Sequence, residues 1–195
     1  MGNLSILRGA LPSAQVSTYT TGSITLPSAR TAFTPTGDFE SIATVTVATA
    51  TNSISFTSIP QTFKHLQVRM IGFSSTGNYP YISSNLTKGR RHLFYHAPST
   101  ILSSGTGDTI GLEMNIGGMT GVFAAIVDIA DYSSTNKLKQ FKAHLGNDRN
   151  GSGQQVFSMG YWTEANTALN SLTFTMGASD TLSQHSNIAL YGIRG

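Results

Sequence analysis

The sequence predicts an all-β fold: an antiparallel β-sandwich of jelly-roll or related Greek-key form, with an extended N-terminal arm. Three observations predict it. Hydroxyl side chains dominate, with 24 Ser and 25 Thr among 195 residues, beside 20 Gly. Charged residues make up only 11%, against about a quarter in an average soluble domain. That leaves too little Glu and Lys for the solvent faces of a helical bundle. Finally, apolar residues alternate with polar ones over short runs separated by turn signals, and no 3.6-residue period is sustained. The same charge-poor composition suits a surface packed against neighbours.

Two parts are expected, an arm over residues 1–38 and a sandwich over residues 39–195. The arm carries Arg8, Arg30 and Asp38 as its charges and is broken by Pro12, Pro27 and Pro35. Its apolar residues are mostly isolated, so it reads as a tail or as a segment that orders by lying on a neighbour. Leu4, Ile6, Leu7, Ile24, Leu26 and Phe33 are its candidate interface residues. The stretch around Ser23 to Leu26 is a candidate edge strand.

From residue 39 the chain reads as strands. Phe39, Ser41, Ala43, Val45 and Val47 alternate with polar residues, interrupted by Ile42, and with Ile54 and Phe56 they suggest a hairpin. Pro60 ends it, because proline cannot donate to a ladder. Leu66, Val68 and Met70 alternate with Gln67 and Arg69, a strand with one wet face. Residues 74–91 read mostly as loop, and within them Arg90 and Arg91 form the densest basic patch and a further candidate interface. Residues 93–96 and 110–116 are strand candidates. Residues 122–127 are continuously apolar, which asks for cover on both faces of a central strand or a short buried helix; length and β-branching favour the strand. Phe141, Ala143 and Leu145 alternate with Gln140, Lys142 and His144. Residues 154–162, 172–176 and 188–193 complete the pattern. Phe56, Val68, Ile126, Phe141 and Phe174 are the expected core.

The chemistry-bearing residues point away from catalysis. There is no Cys, hence no disulfide, thiolate ligand or cysteine nucleophile. The histidines are His65, His92, His96, His144 and His185; His92 and His96 share a strand face but lie too far apart to chelate one metal unaided. Asp128 and Asp131 flank a turn that Asp131 is expected to set. Residues 146–151 resemble part of a calcium loop without its bidentate Glu. No phosphate-cradling loop or nucleophile elbow is present. No catalytic, metal or cofactor-binding residue is therefore assigned, and no enzymatic activity is expected. Twelve basic against nine acidic residues, net +3, are too scattered for direct nucleic-acid binding. No apolar run reaches the roughly 18 residues that span a bilayer, and the first eight residues lack the pattern of a secretory signal.

Four ordered blocks carry a resemblance: residues 39–47; residues 54–69, with Ser58-Ile59-Pro60 and His65-Leu66-Gln67-Val68-Arg69; residues 128–137, with Asp131-Tyr132-Ser133-Ser134; and residues 188–195, with Tyr191-Gly192. Together they resemble a family of tailed-bacteriophage virion proteins. The resemblance implies a β-sandwich structural protein placed on capsids or on tails, with no catalytic residues to transfer. The expectation is a capsid decoration or cement protein on the virion surface. It would be a homotrimer bound to the major capsid protein and stabilised by multivalent contact. The alternative is a tail fibre, adaptor or receptor-binding component whose partners are tail proteins.

Overall fold

The computed structural model describes residues 16–19, 23–25, 38–77, 80–86, 89–96, 100–107, 119–147, 154–177 and 180–195. For 16–19, 23–25, 75–77, 89–96, 100–107, 119–120 and 154 it describes the backbone alone. The strands in chain order are β1 (Val16–Tyr19), β2 (Ser23–Thr25), β3 (Phe39–Val47), β4 (Ser53–Thr57), β5 (His65–Gly77), β6 (Pro80–Ser84) and β7 (Gly89–His96). They continue with β8 (Thr100–Gly107), β9 (Met119–Ala130), β10 (Lys139–Asn147), β11 (Gln154–Trp162), β12 (Leu172–Met176) and β13 (Asn187–Ile193).

These strands form two sheets among the described residues. The larger has the order β1-β3-β13-β5-β9-β10-β11-β7-β8, the smaller β2-β4-β12-β6. The antiparallel pairs β3·β13, β4·β12 and β5·β9 are nested. The chain is therefore one long hairpin, rolled so that successive pairs fall in alternate sheets. That is jelly-roll connectivity. The pair β10–β11 and the hairpin β7–β8 widen the larger sheet.

The expected hairpin of residues 39–57 does not form. β3 pairs with β13 and β4 with β12, in different sheets. The intervening Thr51 bridges to Leu182 instead. The expected loop over residues 74–91 is also corrected: β5 runs to Gly77, β6 and the start of β7 follow, and Arg90 and Arg91 are strand residues. Ser- and Gly-rich sequence obscured these strands because its weak local preference is overruled by ladder pairing.

The core fills the space between the sheets. Phe56, Val68, Phe141 and Phe174 are buried as expected, joined by Phe123, Val127, Ile129, Tyr132, Trp162 and Leu190. Phe56 and Phe174 meet edge to face at 6.1 Å. Each such side chain contributes roughly 1.5–3 kcal/mol by leaving water. Ile126 is the exception and is 45% exposed. Along β9 the inward parity is Phe123, Ala125, Val127 and Ile129, so Ile126 points out.

The interruption at Ile42 has a structural cause. On β13, Leu190 lies opposite Ala43 and Tyr191 opposite Ser41, so Ile42 is an extra residue in the ladder. Such a β-bulge shifts the facing of everything beyond it. Ile42 and Ala43 both pack on the core, and Phe39 moves to the outer face. The odd-numbered inner face expected over 39–47 therefore holds only from Ala43 onward.

Three of the four resembling blocks converge at one end of the sandwich. The Tyr132 hydroxyl donates to the Pro60 carbonyl, the Ser133 hydroxyl to the Phe63 carbonyl at 2.8 Å, and the Asp131 N–H to His65 Nδ1 at 3.0 Å. From the last block, Ile193 accepts a backbone bond from Lys64, and Phe63 lies against Gly192, where an added Cβ would sit 2.3 Å from the ring. The missing side chain at Gly192 thus makes room for the Phe63 ring. Asp131 turns the chain through a left-handed backbone, φ 51°, with its carboxylate 3.4 Å from Lys137.

Candidate interaction surface

The larger sheet has a second face that nothing in the chain covers among the described residues. Strand alternation sends Gln67, Arg69, Ile71 and Phe73 outward from β5, and Val122, Ala124, Ile126 and Asp128 outward from β9. From β10 it presents Gln140, Lys142 and His144, from β11 Phe157, Met159 and Tyr161, and from β13 Ala189 and Tyr191. Among the described residues, eight large hydrophobics are exposed: Phe39, Ile71, Phe73, Val122, Ile126, Phe157, Met159 and, in the β9–β10 turn, Leu138. All but Leu138 stand on this one face.

The face is partly organised by polar contacts. Asp128 sits opposite Gln67 on one side and Lys142 on the other. Gln67 Nε2 donates to the Asp128 carboxylate at 2.7 Å, and Arg69 Nε donates to Gln67 Oε1 at 2.7 Å. The Arg69 guanidinium lies 5.2 Å from the Phe39 ring centre and 5.3 Å from that of Tyr191. Such cation–π contacts contribute about 0.5–1 kcal/mol at exposed sites. His144 stacks on Phe157 at 4.3 Å and 5°.

Relief varies across the face. A trough of about 400 Å³ runs past Ala124, Gly146 and Ala189, rimmed by Arg69, Ile71 and Ile126. A second hollow, of about 550 Å³, is lined by Asp128, Gln140, Lys142, Met159 and Tyr161.

Leu4, Ile6, Leu7, Leu26 and Phe33 lie outside the described residues. Ile24 lies in β2, whose backbone runs parallel to β4 with Ile24 opposite Phe56; β1 likewise lies parallel to β3. The edge pairing expected of the arm on a neighbour is thus made within the chain. Arg90 and Arg91 are paired in β7 with Tyr161 and Gly160 of β11, and their side chains, like those of His92 and His96, lie outside the described residues. Asp128 and Asp131 have different partners, Gln67 and Lys137. Among the described residues no group of three or more His, Asp or Glu could hold a metal, and no helix is long and apolar enough to cross a membrane.

Sequence reasoning registered part of this face, asking for cover on both sides of residues 122–127, and missed it on β5, which it read as a strand with one wet face. From Met70 to Phe73 and from Val122 to Val127, both strand parities are apolar or glycine, which is the pattern of strands covered on both sides. Compared with family models, curated proteins and solved structures, the chain finds no match.

Proposed function

We propose that this chain is a non-enzymatic structural protein of a tailed-bacteriophage virion, a capsid decoration or cement subunit on the shell, acting as a homotrimer bound to the major capsid protein. The reading rests on the ordered blocks that resemble that family. The observation that carries it is the exposed apolar face of a jelly-roll's larger sheet. Soluble monomers rarely leave contiguous apolar patches beyond a few hundred Å² in water, and larger ones mark contact surfaces. A subunit held in an array by many such contacts gains retention from each occupied neighbour.

A tail adaptor or receptor-binding component is the second reading. It is favoured by the hollow at Asp128, Gln140, Lys142 and Tyr161, where a carboxylate and an amide suit sugar hydroxyls and a ring suits a sugar's apolar face. The number and position of this chain in purified particles separates the two, by quantitative mass spectrometry and electron microscopy. Many copies spread over the shell support decoration. A few copies at one vertex favour the tail. Absence from particles overturns both.

A further inference from the structure

We infer that the outer face of the larger sheet is closed by a second copy of this chain, sheet face against sheet face, through Ile71, Phe73, Val122, Ile126 and Phe157. This rests on the structural reading above and names what covers the surface that carries it; a pair of copies joined by a two-fold contact uses this face up, so the three-fold contact of the proposed homotrimer would lie elsewhere on the subunit.

Area is the first argument. A large side chain buries about 200 Å². The seven outward hydrophobics are 38–58% exposed, which places roughly 600 Å² of apolar side-chain surface on one face. A stable interface needs roughly 800 Å² per partner in all, so the apolar part alone nearly fills one side of it.

Chemistry then selects a copy over an unrelated partner. The face is complementary to itself in charge and in relief. Asp128 lies directly across the ladder from Lys142, two residues along from the row of Arg69 and Ile126. When two such faces meet in opposed orientation, the carboxylate of each meets cations of the other. The trough at Ala124, Gly146 and Ala189 adjoins the ridge formed by Ile71 and Ile126. A copy turned over this face brings its own ridge to the trough, the interdigitation that two sheets about 10 Å apart require. A face built for an unrelated partner has no need to carry both signs and both shapes.

β11 points the same way. Its outward Phe157 and Met159 are larger and more apolar than its inward Val156, Ser158 and Gly160. In an isolated sandwich that arrangement exposes the strand's better hydrophobic side.

The test uses the full chain, purified alone, with light scattering and sedimentation to give the mass. We expect self-association at concentrations on the order of 10 µM, and at least a tenfold weaker dissociation constant for Ile126→Asp, with the circular dichroism spectrum and melting temperature retained. A wild-type monomer at that concentration overturns the inference, as does a folded Ile126→Asp that associates like the wild type. Should Ile126→Asp fail to fold, Phe157→Ser and Ile71→Ser provide the same readout from half-exposed positions. The chain has no Cys, so Ala124→Cys supplies a single probe. Its thiol should react with a maleimide at least tenfold more slowly in the assembled protein than in dilute monomer, and equal rates overturn the inference. A monomer in solution that is nevertheless found on particles sinks this inference and leaves the virion reading standing. A self-associating protein absent from particles does the reverse.

Discussion

The inner and outer faces of the larger sheet are cut from the same strands, one residue apart, and the difference between them is instructive. On β9, Phe123, Ala125, Val127 and Ile129 enter the core, while Val122 and Ile126 stand in water. The two sets are chemically alike. On β10 the faces differ as a soluble sheet's should, with Phe141, Ala143 and Leu145 inside and Gln140, Lys142 and His144 outside. On β11 the order is reversed. Moving from β10 to its two neighbours, the outer face changes from one made for water to one made for contact. Burial within the chain and apolar character therefore part company on β9 and β11, at the centre of the surface assigned to contact between copies.

The sharpest way to break this comparison is to truncate one side chain on each face. Phe174→Ala, in the core, should cost about 3–5 kcal/mol through lost transfer energy and an unfilled cavity. Ile126→Ala should change the folding stability of the monomer by less than about 0.5 kcal/mol. Urea denaturation at low protein concentration measures both. Similar costs would mean that the two faces are equally engaged in holding the fold.

A charged residue on the inner face, Lys139, sharpens the contrast. Lys139 is fully buried at the start of β10, and its Nζ donates to the carbonyls of Glu164 and Ala165 at 3.1 and 2.9 Å. Burial lowers its pKa, partly opposed by the carboxylate of Glu164. The amine ties the chain beyond β11 to β10. Lys139→Met keeps the stem and removes both bonds, and should cost about 2 kcal/mol by leaving two carbonyls unmet. A neutral or stabilising effect would show that desolvating the amine outweighs the bonds it makes.

A smaller effect than that of Lys139 belongs to the end where the resembling blocks meet. Tyr132 is buried and donates to Pro60, and burial raises its pKa from 10.0 to about 12, with a backbone hydrogen bond at Phe63 opposing. Tyr132→Phe should cost about 1 kcal/mol. The raised value also sets a pH dependence. Between pH 10.0 and about 12 the folded tyrosine keeps its proton while the unfolded one loses it. Stability should therefore fall as pH rises through that window, and be unaffected by this group below it. Melting curves recorded across the window should lose that component in Tyr132→Phe. A decline of the same size in the variant would assign it to other groups.

Much of this was legible in the chain itself. Hydroxyl-rich, charge-poor composition and short alternating runs pointed to a β-sandwich. The inward placement of Phe56, Val68, Phe141 and Phe174 followed from alternation, because the pleat turns successive side chains to opposite faces whatever the strand's partner. Partner choice was not legible. It depends on residues distant in sequence, as when β3 passes over the nearby β4 to pair with β13, or when β7 draws Arg90 and Arg91 into a ladder with β11. The bulge at Ile42 exists only because β13 lies alongside, and the outward turn of Ile126 follows from which parity of β9 meets the small sheet. A local pattern states how many faces of a strand want cover. Only the three-dimensional arrangement decides which face the chain covers for itself.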